Sequence, residues 1–281
     1  MLLLCPTPIG NLDDATPRQL RALREADVIA CEDTRTTGKL LELLGIDRDE
    51  RGRLMSYHDH NAEGRIEALL AELAADRLVV LVSDAGTPSV SDPGFKLVRA
   101  AIDAGHEVSA LPGPVAGIVA LCVSGMPTDR FLFEGFLPSK SSARKKRLGE
   151  LRALGVTTIL YESPHRVIEA LADAAEVFGG DHHVALSREL TKRHEEHLRG
   201  PLQEVIDQLQ ARDRVRGECV VTLAPGAEAQ DEVLDGEALD ARILALLDEG
   251  HRVKHVRDML TDQTTLSSSE LYARIQEIKQ R

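Results

Sequence analysis

Short apolar runs alternate with amphipathic helical stretches along the first 112 residues, and this alternation narrows the possible folds most. The runs fall at 2–5, 28–31, 54–57, 78–82 and 107–111; segments with helical spacing fall at 16–26, 38–44, 61–75 and 95–104. A strand of four or five consecutive apolar residues has to be covered on both faces. Strands alternating with helices meet that need as a parallel sheet with right-handed crossovers. Local signals agree: Thr16 and Pro17 suit the N-cap and first turn of a helix, and Gly45 suits a helix end. Aromatic residues make up only 3% of the chain and Trp is absent, so the cores must be built from Leu, Val, Ile and Ala.

The pattern changes further on. Helices are expected at 115–124, 141–154, 165–178 and 202–210, and strands at 131–133, 157–161, 183–187, 194–198 and 218–223. The last three strands lie close together, which predicts a mixed sheet with antiparallel pairs. The Gly/Ala/acid-rich stretch 225–236 reads as a linker, and 237–281 as two or three short helices. The expected class is α/β: a parallel-sheet N-terminal domain (1–112), a mixed-sheet second α/β domain (113–225) and a small helical C-terminal appendage (237–281).

The charge balance, 46 acids against 34 bases, gives a net charge of −12. A nucleic-acid partner would therefore need a local basic patch. Cys5, Cys31, Cys122 and Cys219 are far apart and sit in or beside apolar runs, as small buried hydrophobes in a reducing compartment do. No run approaches the roughly 18 apolar residues that span a bilayer. The N-terminus lacks a basic leader region and reads as a buried strand, so a cytoplasmic protein without membrane attachment is expected. No metal-ligand spacing is present, and no metal is expected.

Three loops follow strands of the first sheet, where parallel sheets bind ligands. They are PTPIGN (6–11), SDAGTPSVSDPG (83–94) and LPGPVA (111–116). The middle loop is unusually long for a strand–helix connection, and such loops are usually functional. Asp84 and Asp92 can accept hydrogen bonds from hydroxyls or an amine there, although Asp92-Pro93 can also simply cap the next helix. A phosphate loop (G-x-x-x-x-G-K-S/T) and a G-x-G-x-x-G turn are both missing, which argues against an NTPase and an ordinary dinucleotide dehydrogenase. Charged clusters follow other strands: Glu32 to Arg35, Tyr161 to Arg166, and Ser187 to Glu196. They can place Asp33, Arg35, Glu162, His165, Arg188, Glu189 and Lys192 on a common rim. The only dense basic run, Lys140, Arg144, Lys145, Lys146 and Arg147 with Arg152, suits contact with a phosphate backbone. A smaller basic group, Arg252, Lys254, His255 and Arg257, lies near the C-terminus.

Taken in order, the motifs TPIGN, EDTR, SDAGTPSVSDPG, LPGP, FEGFLP, YESPHR and SRELTKRHEE, with Gly217-Glu218, resemble the bacterial small-subunit ribosomal RNA cytidine 2′-O-methyltransferases, a family of the tetrapyrrole-methylase fold superfamily. The resemblance covers about residues 2–225. It implies S-adenosylmethionine as cosubstrate, a homodimer, and methyl transfer to the ribose of a decoding-centre cytidine in the 16S ribosomal RNA of the small ribosomal subunit. By family pattern, Pro8, Gly10, Asp84, Thr87, Val115 and Ala116 touch the cosubstrate, and Tyr161, Leu190 and Pro225 close over it. Val115 stands where the superfamily often has Ser, so a hydroxyl contact is missing. Loop position and residue type make Glu162 and Glu189, then His165, the expected bases; Arg35, Arg188 and Lys192 join the basic run as expected RNA contacts. The rival readings are a methylase of a tetrapyrrole macrocycle and a non-catalytic RNA-binding ribosome-assembly module.

Overall fold

The structure is a computed structural model that describes residues 1–47, 52–58, 62–91, 94–226, 236–248, 251–261, 264 and 266–280. The first sheet contains β1 (Leu2–Leu4), β2 (Val28–Cys31), β3 (Arg53–Ser56), β4 (Val79–Leu81) and β5 (Val108–Ala110), all parallel, in the order β3-β2-β4-β1-β5. Helices α1 (Pro17–Glu25), α2 (Thr34–Leu43), α3 (Ala62–Ala74) and α4 (Gly94–Asp103) connect the strands. Two apolar layers cover the sheet. Leu2, Val28 and Val79 pack with Leu69, Leu73 and Leu97 on one side; Leu3, Ile29 and Val80 pack with Ala22, Leu23 and Leu41 on the other. Successive strand residues thus bury on opposite faces, which is why the strand runs are apolar throughout.

Helix starts follow the capping residues. Thr16 and Gln19 form a reciprocal capping box at α1. Helix α2 begins four residues earlier than the spacing predicts. The Asp33 carboxylate caps it by accepting from the backbone N–H of Arg35 and of Thr36, so the EDTR segment opens a helix as well as ending a strand.

After α5 (Ala116–Ser124) comes the second sheet: β6 (Phe131–Phe136), β7 (Thr157–Glu162), β8 (His183–Arg188), β9 (Glu196–Pro201) and β10 (Cys219–Leu223), in the order β6-β7-β10-β8-β9. Only β6 and β7 are parallel; the other pairs are antiparallel, giving the mixed sheet read from the sequence. β6 runs three residues beyond its expected end, because a bulge between Phe133 and Gly135 lets the strand resume. Helices α6 (Ser141–Ala153), α7 (Val167–Phe178) and α8 (Leu202–Gln210) belong to this half of the chain.

The chain divides into two compact units differently from the expected domains. One holds Met1–Lys145 with Thr157–Ala224, and therefore both sheets; the other holds Lys146–Val156 with Pro225–Arg281. The two sheets share a unit because one core joins them: Ile9 from the first loop packs with Ala120 and Leu121 of α5 and with Ile159, Leu190 and Val220 of the second half. In the second unit, α9 (Gly236–Asp248), α10 (Val253–Leu260) and α11 (Ser268–Gln280) enclose their own core of Leu239, Ile243, Val256, Leu260, Leu271 and Ile275. Most of the 225–236 stretch lies outside the described residues. No described helix is long and apolar enough to cross a membrane.

Candidate functional site

The strand order decides which loops meet. β4 is the central strand, with β2 on one side and β1 on the other. The loops after β1, β2, β4 and β5 therefore converge at one end of the sheet, and hydrogen bonds hold them together. Thr7 and Gly86 exchange two backbone hydrogen bonds of 2.9 and 3.0 Å. The Thr7 hydroxyl donates to the Ser83 carbonyl at 3.2 Å, and the Thr87 hydroxyl donates to the Pro114 carbonyl at 2.9 Å. Gly86 has φ +88, and a Cβ there would meet Ile9 and the Pro114 carbonyl oxygen at 3.3 Å, so the junction requires glycine.

These loops and the second sheet enclose a cavity of about 460 Å³, within the range of small-molecule sites. Ile9, Glu32, Asp84 to Thr87, Val90, Ser91, Val115 and Ala116 line it from the first half. Phe136, Tyr161 to Pro164 and Glu218 to Val220 line it from the second. Tyr161 links the two walls by accepting from the Gly117 N–H at 3.1 Å in the first turn of α5. Val115, the residue before that helix, provides no side-chain cap.

Among the described residues, the lining carries four carboxylates, Glu32, Asp84, Glu162 and Glu218, and no Lys or Arg. Two of the four are neutralised from outside the cavity. Glu162, 4% exposed, accepts from its neighbour's N–H at Ser163 and from Arg166 at 3.2 Å. Glu218 receives the Lys192 ammonium at 2.9 Å. Asp84 accepts the Asp33 N–H at 3.4 Å; burial and then the nearby Glu32 charge raise its pKa above the usual carboxylate range. Among the described residues, the negative charge of the cavity without a cation beside it is thus concentrated at Glu32 and Asp84.

Of the residues expected to touch a cosubstrate, Asp84, Thr87, Val115, Ala116 and Tyr161 line the cavity. Pro8 and Gly10 do not, although Ile9 between them does. Gly10 lies against Lys192: a Cβ would come within 2.4 Å of its side chain, so this glycine admits the 188–196 loop. Leu190 is in the core beneath the wall. Pro225 follows the far end of β10, whereas the cavity takes the beginning of that strand. Asp92 lies outside the described residues.

Among the expected bases, only Glu162 lines the cavity. Glu189 has positive φ, 53°, and its carboxylate accepts from Lys192 at 3.0 Å and from the Glu218 N–H at 3.1 Å. Lys192 first, then the Glu218 amide, hold its pKa below the usual range, which makes it a weak proton acceptor. His165 is exposed and does not line the cavity.

The expected RNA contacts separate by burial. Arg144 is fully buried: it bonds Asp173 at 2.6 Å and the Ser139 carbonyl at 3.2 Å, so a phosphate contact there is corrected to a structural ion pair. Lys145 bonds Glu176 at 2.5 Å, and Arg147 bonds Glu150 at 2.7 Å. Arg188 is occupied by Glu196 and by the carbonyls of His194 and Arg216, and Lys192 bridges Glu189 and Glu218. Lys140 and Lys146 are exposed, and Arg35 is 91% exposed beside Asp33. Sequence reasoning missed Glu32, Glu218 and Phe136 as cavity residues. The motifs that hold them were visible, but strand adjacency was not.

Residues 1–206 match the family described as Tetrapyrrole (Corrin/Porphyrin) Methylases. A protein of Micromonospora olivasterospora called ribosomal RNA small subunit methyltransferase I is 44% identical over 98% of this chain and 86% of its own length. The protein of that name from Escherichia coli O157:H7 is 42% identical over 96% of this chain and 93% of its own. Among solved structures, a cobalt precorrin-4 methyltransferase of cobalamin biosynthesis superposes with TM-score 0.60 at 15% identity, over 79% of this chain and 94% of that one. A Thermus thermophilus uroporphyrin-III C-methyltransferase complexed with S-adenosylhomocysteine superposes with TM-score 0.52 at 19% identity, over 79% and 96%.

Proposed function

The chain belongs to the tetrapyrrole (corrin/porphyrin) methylase family, and from that premise we propose that it transfers the methyl group of S-adenosylmethionine to the ribose 2′-oxygen of a decoding-centre cytidine in 16S ribosomal RNA. One observation carries the reading: a cavity at the convergent strand ends that, among the described residues, is lined by carboxylates and by no Lys or Arg. The residues present fit a cationic cosubstrate, since S-adenosylmethionine carries a sulfonium and an ammonium group. When bound, it supplies a methyl carbon on a positively charged sulfur, a good leaving group.

The protein's share is positioning and proton removal. The hydrogen-bonded loops fix Ile9, Asp84, Thr87, Val115 and Ala116 as one rigid wall. Asp84 faces the cationic part. The 2′-hydroxyl gives up its proton to Glu32, a lining carboxylate with no cation beside it among the described residues, while Glu162 in the wall and Glu189 behind it stay ion-paired. Lys140, Lys146 and Arg35 are the exposed cations assigned to the RNA backbone. A homodimer in the cytoplasm is part of the same reading, and light scattering checks the stoichiometry.

The deciding experiment incubates the protein with labelled S-adenosylmethionine and small ribosomal subunits lacking the modification, then maps the label by nucleoside analysis. A 2′-O-methylcytidine product is expected. Glu32→Gln should slow single-turnover transfer by at least about 100-fold with cosubstrate affinity nearly kept, and Glu162→Gln and Glu189→Gln should slow it less. Label on a base, or transfer to a tetrapyrrole without RNA, would overturn the assignment; a wild-type rate in Glu32→Gln would remove that residue as base.

A further inference from the structure

Phe136 stands out in a chain with five Phe, three Tyr and no Trp. It is 60% exposed and it lines the cavity. An exposed aromatic ring is ordinary on a surface, but this one is held in place. The bulge at Gly135, with φ +75, turns the last residue of β6 toward the cavity wall, where Phe136 pairs with Tyr161 of β7. The Tyr161 ring meets Phe136 edge-on at 5.8 Å and Phe133 edge-on at 5.0 Å. Tyr161 is itself tied to α5 through the Gly117 N–H. The outer ring of a three-ring ladder is thus fixed with its surface open to solvent.

The charge of the cavity bears on what can meet that ring. Among the described residues, four carboxylates and no Lys or Arg line the wall, so a phosphate is repelled from the interior. Only the uncharged part of a nucleotide, its base and sugar, can enter. With no Lys or Arg among the described lining residues, its affinity there comes from hydrogen bonds, stacking and shape. The deep wall, where Ile9, Cys219 and Val220 are 7, 3 and 5% exposed, suits the small cosubstrate that can be enclosed. The exposed ring at the mouth suits the larger substrate that arrives from solvent.

We propose that Phe136 is a substrate-stacking residue that receives the base of the target nucleotide, splayed out of its RNA stack, and so sets the ribose in front of the cosubstrate. The inference rests on the RNA-methylating reading above. It makes an unpaired or easily unpaired nucleotide the preferred target, since the base must leave its neighbours to reach the ring.

The test uses the full chain with undermethylated small ribosomal subunits and the variants Phe136→Ala, Phe136→Leu, Phe136→Tyr and Phe136→Trp. Their thermal melts report folding, which an exposed ring should barely affect. Phe136→Ala and Phe136→Leu should lower kcat/KM for the subunits by about 10- to 100-fold, while Tyr and Trp restore it to within about 3-fold. The calorimetric Kd for S-adenosylmethionine should stay within about 2-fold in all four. A weakened cosubstrate Kd would overturn the proposal by giving the ring to adenine. Full activity in Phe136→Leu or Phe136→Ala would overturn it too, by removing any need for stacking. The position of the methyl group, read by nucleoside analysis of the wild-type product, judges the ribose assignment separately, so the two can fail independently.

Discussion

Glu196 is a carboxylate whose ionisation is bound up with folding. Arg212 bonds both its oxygens, at 2.7 and 2.8 Å, and Arg188 adds a third bond at 3.0 Å. Arg212 first, opposed by burial and helped by Arg188, brings its pKa from 4.5 down to about 2. Because the folded pKa lies below the unfolded one, the stabilisation is complete above about pH 4.5 and disappears as pH falls toward about 2. Glu196→Gln should therefore lower the urea midpoint at pH 7 and make little difference near pH 2; equal losses at both values would show that the ion pairs contribute nothing. Arg188 and Glu196 were plain as residue types in the SRELTKRHEE motif, whereas Arg212 lies beyond it. The role of Arg188 was not, because an arginine looks the same in a sequence whether it faces a phosphate or a carboxylate.

Helix α6 makes the same point for a whole element. As a string it is the most basic stretch of an acidic chain and suits RNA. In the fold, Arg144 turns inward, and its Nε bonds Asp173 of α7, which also accepts from Ser141 at 2.9 Å. Both side chains are almost fully buried, at 1 and 9% exposure. Removing one partner of such a pair leaves an uncompensated charge. Arg144→Ala is expected to cost about 3–5 kcal/mol of stability, and adding Asp173→Asn should recover part of the loss in a double-mutant cycle. A loss below about 1 kcal/mol would mean that the site relaxes to admit water. Helices and strands as elements were mostly legible, since capping residues and apolar periodicity act locally. The early start of α2 and the long β6 were not, because each depends on one side chain or one bulge that the apolar pattern does not record.

At the scale of the molecule, the two compact units have separate cores and should respond separately to ligand. Cosubstrate at about 100 times its Kd should add about 2.7 kcal/mol to the unit that holds the cavity. Calorimetry should then show the larger transition moving up while that of the helical unit, α9 to α11, stays; a common shift of both would show that they unfold as one. The sequence by itself determined the alternation of strands and helices, the parallel first sheet, the mixed second one and the position of the glycine- and proline-rich loops. Those properties follow from period, burial and turn chemistry within a few residues. Only the tertiary structure decided that Glu32 joins Asp84 in one cavity, that Arg144 leaves the surface and that Phe136 stands at the mouth. Each depends on which strands become neighbours and on which partner a charge finds across the fold, and both are settled by contacts between residues far apart in the chain.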